Sequence, residues 1–236
     1  MKNENINTEK HKEFYLTCEK YFIFELLTVA AGMMGLFTYN LRGGVFSNAQ
    51  TGNIVKMAMA VGNGEIVEGL YYLIPFTAYV LGTVLSEILP EKVRSTHFIR
   101  WDTMLVGIEM IVLFLIGLMP LSWPEQIAQV LISFLCSMQF NTFRQAEGIP
   151  MATTFVTNHV RQIGISLART IKHHEQEAEA KKKALKHAKI ILAFFIGGTI
   201  MTFACNYFGA KSIWLAILPL SLCFMFMLRS DLIYKV

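Results

Sequence analysis

Two short polar motifs interrupt an otherwise apolar chain. The first is Gly43-Gly44-Val45-Phe46-Ser47-Asn48-Ala49-Gln50-Thr51-Gly52-Asn53, and the second is Thr153-Thr154-Phe155-Val156-Thr157-Asn158-His159. Thr51 and Thr157 lie 106 residues apart, and each motif follows a long apolar segment. Asn48, Thr51 and Asn53 offer amide and hydroxyl groups beside Gly52, which permits close backbone approach. That combination can hold a small polar solute or an ion, and a weakened helix frees backbone carbonyls and N–H groups for the same task. Thr153, Thr154, Thr157, Asn158 and His159 form the matching set, with His159 as the group that titrates near neutral pH. The structural alternative is a helix break whose polar groups satisfy one another. Polar, glycine-bearing backbone is tolerated at membrane depth only where protein buries it or it lines a wet cavity.

Glu109 is the next candidate, several residues inside the apolar stretch Asp102–Leu121. An unpaired ionisable side chain costs roughly 2.5–3.5 kcal/mol on insertion scales, so it reads as a proton or coupling-ion carrier. A buried helix–helix hydrogen bond is the alternative. Gln139 and Asn141 lie two residues apart and face different sides of one helix, so at least one is expected to point into the bundle. Ala30, Ala31, Gly32 and Gly35, and later Gly197-Gly198, are small enough to let helix backbones approach.

Other chemistry is not indicated. There is no HExxH, GxSxG or Walker pattern, and no pair of carboxylates at useful spacing, so an enzyme is not expected. Cys18, Cys136, Cys205 and Cys223 are scattered without ligand spacing, so neither metal nor cofactor is expected. The net charge of +4 comes from basic residues beside apolar spans and does not indicate nucleic acid.

The elements that must position these groups follow from hydropathy. The 236 residues are 54% hydrophobic and 16% charged, with a mean hydropathy of +0.45. A helix needs roughly 20 residues to cross about 30 Å of hydrocarbon. Six stretches come near that: Tyr21–Asn40, Val67–Leu89, Thr103–Leu121, Ile127–Phe143, Ile190–Phe208 and Ile213–Leu228. The segments after the two motifs are short and carry Lys56 and Arg161, so they are expected not to cross. With six crossings and a cytoplasmic N-terminus, only Arg42, Lys56 and Lys211 fall outside, as the positive-inside rule requires. Eight crossings would put the basic 92–100 loop outside and fit worse.

The expected architecture is an all-α polytopic membrane protein of about six transmembrane helices plus two short broken or re-entrant helices. Residues 1–19 form a cytoplasmic tail, 20–121 the first membrane half and 122–236 the second. The first motif then enters from outside and the second from inside, which makes the halves an inverted repeat. A charged stretch at about 172–189 is inserted in the second half as a cytoplasmic surface helix. Its Glu177/Lys181 and Glu179/Lys183 pairs have the favourable i,i+4 order.

At the motif residues the chain resembles the YoaK / DUF1275 family of bacterial integral membrane proteins. Gly43-Gly44, Phe46, Asn48 and Thr51-Gly52-Asn53 match its first signature. Met138-Gln139, Arg144, Gly148, Pro150, Ala152-Thr153-Thr154 and Thr157 follow the order and spacing of its second half. The resemblance spans about residues 20–230. Gly35 stands where many members carry Asp, so no role of that Asp is carried over. Asn158 stands where Gly is frequent.

The function expected is a small-molecule secondary transporter or permease of the plasma membrane. Its substrate site is assigned to Asn48, Thr51, Gly52, Asn53, Gln139, Asn141, Thr154, Thr157, Asn158 and His159, with Glu109 and His159 for a proton or coupling ion. A membrane scaffold or sensor using the charged helix is the alternative. The partners implied are the lipid bilayer and an unidentified small solute, and a homo-oligomer is compatible.

Overall fold

The structure, a computed structural model, describes residues 15–94, 99–172 and 177–234. Nine α-helices among them build the bundle: α1 (Tyr21–Leu41), α2 (Gln50–Gly62), α3 (Ile66–Tyr71), α4 (Leu73–Arg94), α5 (Trp101–Leu118), α6 (Glu125–Thr142), α7 (Thr157–Lys172), α8 (Glu177–Phe208) and α9 (Ile217–Tyr234). A two-residue hairpin, β1 (Gln145–Ala146) with β2 (Ile149–Pro150), follows α6, and a 3-10 turn at Gly209–Ala216 joins α8 to α9.

Four stretches are long and apolar enough to cross a bilayer: Tyr21–Leu41, Ile66–Glu91, Trp101–Leu118 and Glu177–Ile233, the last holding both α8 and α9. The chain is an all-α membrane protein. α6 is not among those stretches, because Glu125, Gln126, Gln129, Gln139 and Asn141 lower its hydropathy, although Ile132, Leu135 and Cys136 are buried. Large apolar side chains such as Leu81, Ile111, Phe195 and Phe203 face outward, as lipid contact requires.

Helices pack closely where glycine removes the side chain. α1 and α8 run parallel, with Tyr21 Oη donating to Lys186 O at one end and Asn40 Nδ2 to Thr202 Oγ1 at the other. A Cβ at Gly32 would stand 2.4 Å from Phe194 O, and one at Gly197 2.2 Å from Val29 O. α4 meets α6 in the same way, since a Cβ at Gly82 would stand 2.5 Å from Phe134 O. No apolar driving force joins helices within lipid, so such close van der Waals packing must hold them.

Two boundaries differ from the sequence reading. The charged stretch is not a separate surface helix, because no Gly or Pro separates Lys189 from Ile190 and α8 runs unbroken from Glu177 to Phe208. Glu177 does pair with Lys181, while residues 173–176 lie outside the described residues. The Val67–Leu89 stretch is divided at Tyr72 into α3 and α4.

Candidate functional site

The first motif folds back along α1. Gly43 and Gly44 take φ of 71° and 65°, a left-handed pair that stops the helix and reverses the chain. Thr38 Oγ1 then donates to Val45 O (2.9 Å), and Ser47 Oγ donates to Thr38 Oγ1 (2.9 Å). Asn48 Nδ2 reaches Ala31 O, at the midpoint of α1 (3.1 Å). Gly35 makes room for it, since a Cβ there would stand 2.5 Å from that amide. The chain turns at this depth and α2 returns. Asn53, fully buried, accepts from Phe46 N (3.0 Å) and donates to Phe46 O (2.8 Å) and Gln50 Oε1 (2.9 Å). Lys56 hydrogen-bonds Gly44 O and lies over the Tyr39 ring at 4.6 Å, back near the C-terminal end of α1.

The second motif comes from the other end. Its hairpin is fastened at the start of α1, where Glu147 N donates to Glu19 O (2.8 Å) and Lys186 pairs with the Glu147 carboxylate (2.5 Å). Ala152, Thr153 and Thr154 are then buried, and Phe155 packs on Phe140 with centroids 4.8 Å apart. Thr154 lies beside Tyr79 of α4, without a formed hydrogen bond at its own hydroxyl. α7 leads back out along α8.

His159 anchors that return. Its Nε2 contacts Ala152 O at 2.8 Å and its Nδ1 contacts His187 Nδ1 at 2.9 Å. A carbonyl only accepts, so Nε2 of His159 holds the proton and its Nδ1 accepts from His187. His187 Nε2 is left buried without a partner. Burial lowers the His159 imidazole below its ordinary 6.5, so it folds preferentially neutral. Its contribution to stability is therefore complete above pH 6.5 and is lost as the pH falls below that. Thermal unfolding between pH 7.5 and 4.5 should show the wild type losing stability faster than His159→Leu. Equal pH slopes would remove this histidine as the cause.

Some of the residues singled out in the sequence converge. Gln139 Nε2 donates to Leu27 O (3.3 Å), one turn from the Ala31 carbonyl that Asn48 uses, so both amides lie along one face of α1. Among the described residues eight fully buried side chains have polar atoms with no partner: Arg42 and Gln129 toward one end of the bundle, His187 toward the other, and between them Glu109, midway along α5, with Ser133, Gln139, Thr153 and Thr154. Cys136 links them spatially, within electrostatic reach of Glu109 and of Tyr79.

Others do not converge. Thr51 and Thr157 are exposed in the first turns of α2 and α7, Asn158 is half-buried, and Gly52 packs under the Phe46 ring. Asn141 lies at the end of α6, donating to Ser86 Oγ and Glu87 Oε2 at 2.9 Å. It lines a cavity of about 970 Å³ between α1, α4, α5 and α6, along with Arg100, Trp101 and Arg144. Its lining includes the buried pair Phe24–Phe143, edge to face at 6.2 Å. The opposite end of the bundle is closed by Arg42. This residue, legible only as a loop charge, is fully buried and donates to Met119 O (3.1 Å) and Pro120 O (3.3 Å) at the end of α5. Ser133, Tyr79 and His187 were missed, because nothing in their spacing marks them and only packing makes them neighbours of the site.

The sequence model described as "Protein of unknown function (DUF1275)" matches residues 23–226. The chain belongs to the DUF1275 family. A relative of this family member, the UPF0700 transmembrane protein YoaK of Bacillus subtilis (strain 168), is 21% identical over 213 residues, covering 89% of this chain and 93% of that protein. No solved structure matches. The match includes both motifs, Glu109 and the Phe24–Phe143 pair within one family span.

Proposed function

We propose that this protein is a small-molecule secondary transporter of the plasma membrane, with both termini in the cytoplasm. The observation that carries the reading is the pair of helix breaks. They run in from opposite ends and stop halfway along the bundle, beside buried polar atoms without partners. Each such atom costs about 1–3 kcal/mol in an apolar interior, a cost that a bound solute can relieve. In this reading Asn48, Gln139 and Thr154 meet the solute and Glu109 carries the coupling proton.

The packing supports an inverted repeat of two halves. Exchanging α1 with α6, α4 with α8 and α5 with α9 maps the α1–α8 packing onto α6–α4 and the α1–α9 packing onto α6–α5, whereas α7 packs on α8 and its counterpart α2 packs on α3. α1 packs on α8 as α6 packs on α4, each across glycine, and α5 packs on α9. The reading takes six crossings with two non-crossing breaks, and discontinuous helices of this kind build midplane sites in transporters. The relative's designation as a transmembrane protein agrees with the membrane part and names no cargo.

The test is uptake into vesicles carrying the purified full-length protein, across a panel of metabolites. At least one solute should enter faster than into protein-free vesicles, and Glu109→Gln should reduce that uptake at least tenfold with insertion unchanged. In the same vesicles, cysteines at positions 56 and 161 should react with an impermeant thiol reagent from opposite faces. No flux across the panel would end the transporter reading, and labelling from one face would end the inverted topology.

A further inference from the structure

The partnerless atoms in the middle of the bundle share one chemical character. Both Glu109 oxygens and Gln139 Oε1 can only accept when the acid is ionised, and the hydroxyls of Ser133, Thr153 and Thr154 can accept too. The buried basic side chains among the described residues, Arg42, His159 and His187, sit at the two ends of the bundle. The titratable groups that face Glu109 are Cys136 from α6 and Cys223 from α9, and neither can be a cation. An ionised carboxylate in such surroundings requires a proton or a positive guest. The acceptors are spread over α5, α6 and the second break. Among the described residues no three acidic, histidine or cysteine side chains gather as a metal shell. An ammonium group, with donors pointing several ways, suits this spread better than a bare metal ion does.

Gln139 lies one turn from Phe143 on α6, and the buried pair Phe24–Phe143 lines the 970 Å³ cavity.

We propose that the mid-bundle site binds an ammonium-bearing organic cation in competition with a proton on Glu109, the guest arriving past Phe24 and Phe143. This rests on the transporter reading and makes the protein an exchanger: one amine cation binds as one proton leaves the Glu109 carboxyl. Charge at the site is unchanged by the exchange, so the carboxylate is never left alone in the apolar interior.

The experiment uses the full-length protein in lipid nanodiscs with a pH indicator in weakly buffered medium. The probes are ethylammonium and propylammonium, and sodium chloride, sodium succinate and glucose serve as comparison. Ethylammonium or propylammonium should raise the melting temperature and release about one proton per protein. The apparent affinity should weaken about tenfold per pH unit on acidification while the carboxyl is protonated. Glu109→Gln should fold and show neither effect. A thermal shift without proton release, an equal shift from sodium, succinate or glucose, or no shift from either amine would overturn the proposal. If Glu109→Gln fails to fold, the pH dependence of the wild type decides by itself. Proton release without vesicle flux keeps the site and removes the transporter reading. Flux of a metabolite with no response to amines keeps the transporter and removes this site.

Discussion

Gly197→Ala should destabilise the protein by about 2–3 kcal/mol, read as thermal unfolding of the purified protein in detergent. The new methyl carbon would stand 2.2 Å from Val29 O and 2.9 Å from Val29 C, both backbone atoms of α1. A flexible side chain could rotate away, but a helix backbone cannot. The substitution therefore forces α1 and α8 apart and loosens contacts along their whole parallel length, from Tyr21–Lys186 to Asn40–Thr202. Gly164→Ala supplies the contrast. Nothing lies within 4 Å of a Cβ there, in the interior of α7, so alanine should be neutral or stabilising by up to about 1 kcal/mol through helix propensity. If Gly197→Ala melts with the wild type, the close packing of α1 on α8 is not what holds the bundle.

Asn53→Leu should cost about 3 kcal/mol or more. It removes three hydrogen bonds and leaves the N–H and C=O of Phe46 unsatisfied inside the first break. Asn53→Asp separates the two roles. An aspartate still accepts from Phe46 N but cannot donate to Phe46 O, so its cost should be intermediate. Hydrogen exchange at the Phe46 amide gives a local reading: protection should vanish in the leucine variant and persist in the aspartate variant. Equal protection in all three proteins would mean that the break is held by other groups, such as the Thr38–Ser47 pair. Because Asn53 is saturated by these bonds, it holds the break rather than offering a free group to a solute.

How much of this was legible in the sequence depends on the residue. Membrane class, the apolar stretches and the two breaks were legible, because lipid punishes polar backbone and Gly43-Gly44 cannot continue a helix cheaply. Glu109 was legible for the same reason, as a charge where none is tolerated without purpose. The division of roles within the motifs was not. Asn48, Thr51 and Asn53 look equivalent in the sequence, yet one meets the middle of α1, one faces outward and one clamps Phe46. Side-chain direction after a left-handed turn depends on each dihedral that follows it, and residue spacing does not encode that. Asn141 and Gln139 divided in the same way, two residues apart on one helix, one bonded to Ser86 and Glu87 of α4 and the other to Leu27 of α1.

The amino-acid sequence by itself determined that this chain lives in a membrane, where its helices break and which carboxyl is out of place. Those are local matters of solvation and backbone freedom, and each residue states them alone. Only the tertiary structure decided that Cys136 lies within electrostatic reach of both Glu109 and Tyr79, that Thr154 lies beside Tyr79, that His187 is the partner of His159, and that Arg42 closes one end. These neighbours come from different helices, 28 to 78 residues apart for the pairs formed by His159 and Arg42. Only close packing brings them within the few ångströms over which hydrogen bonds and buried charges act.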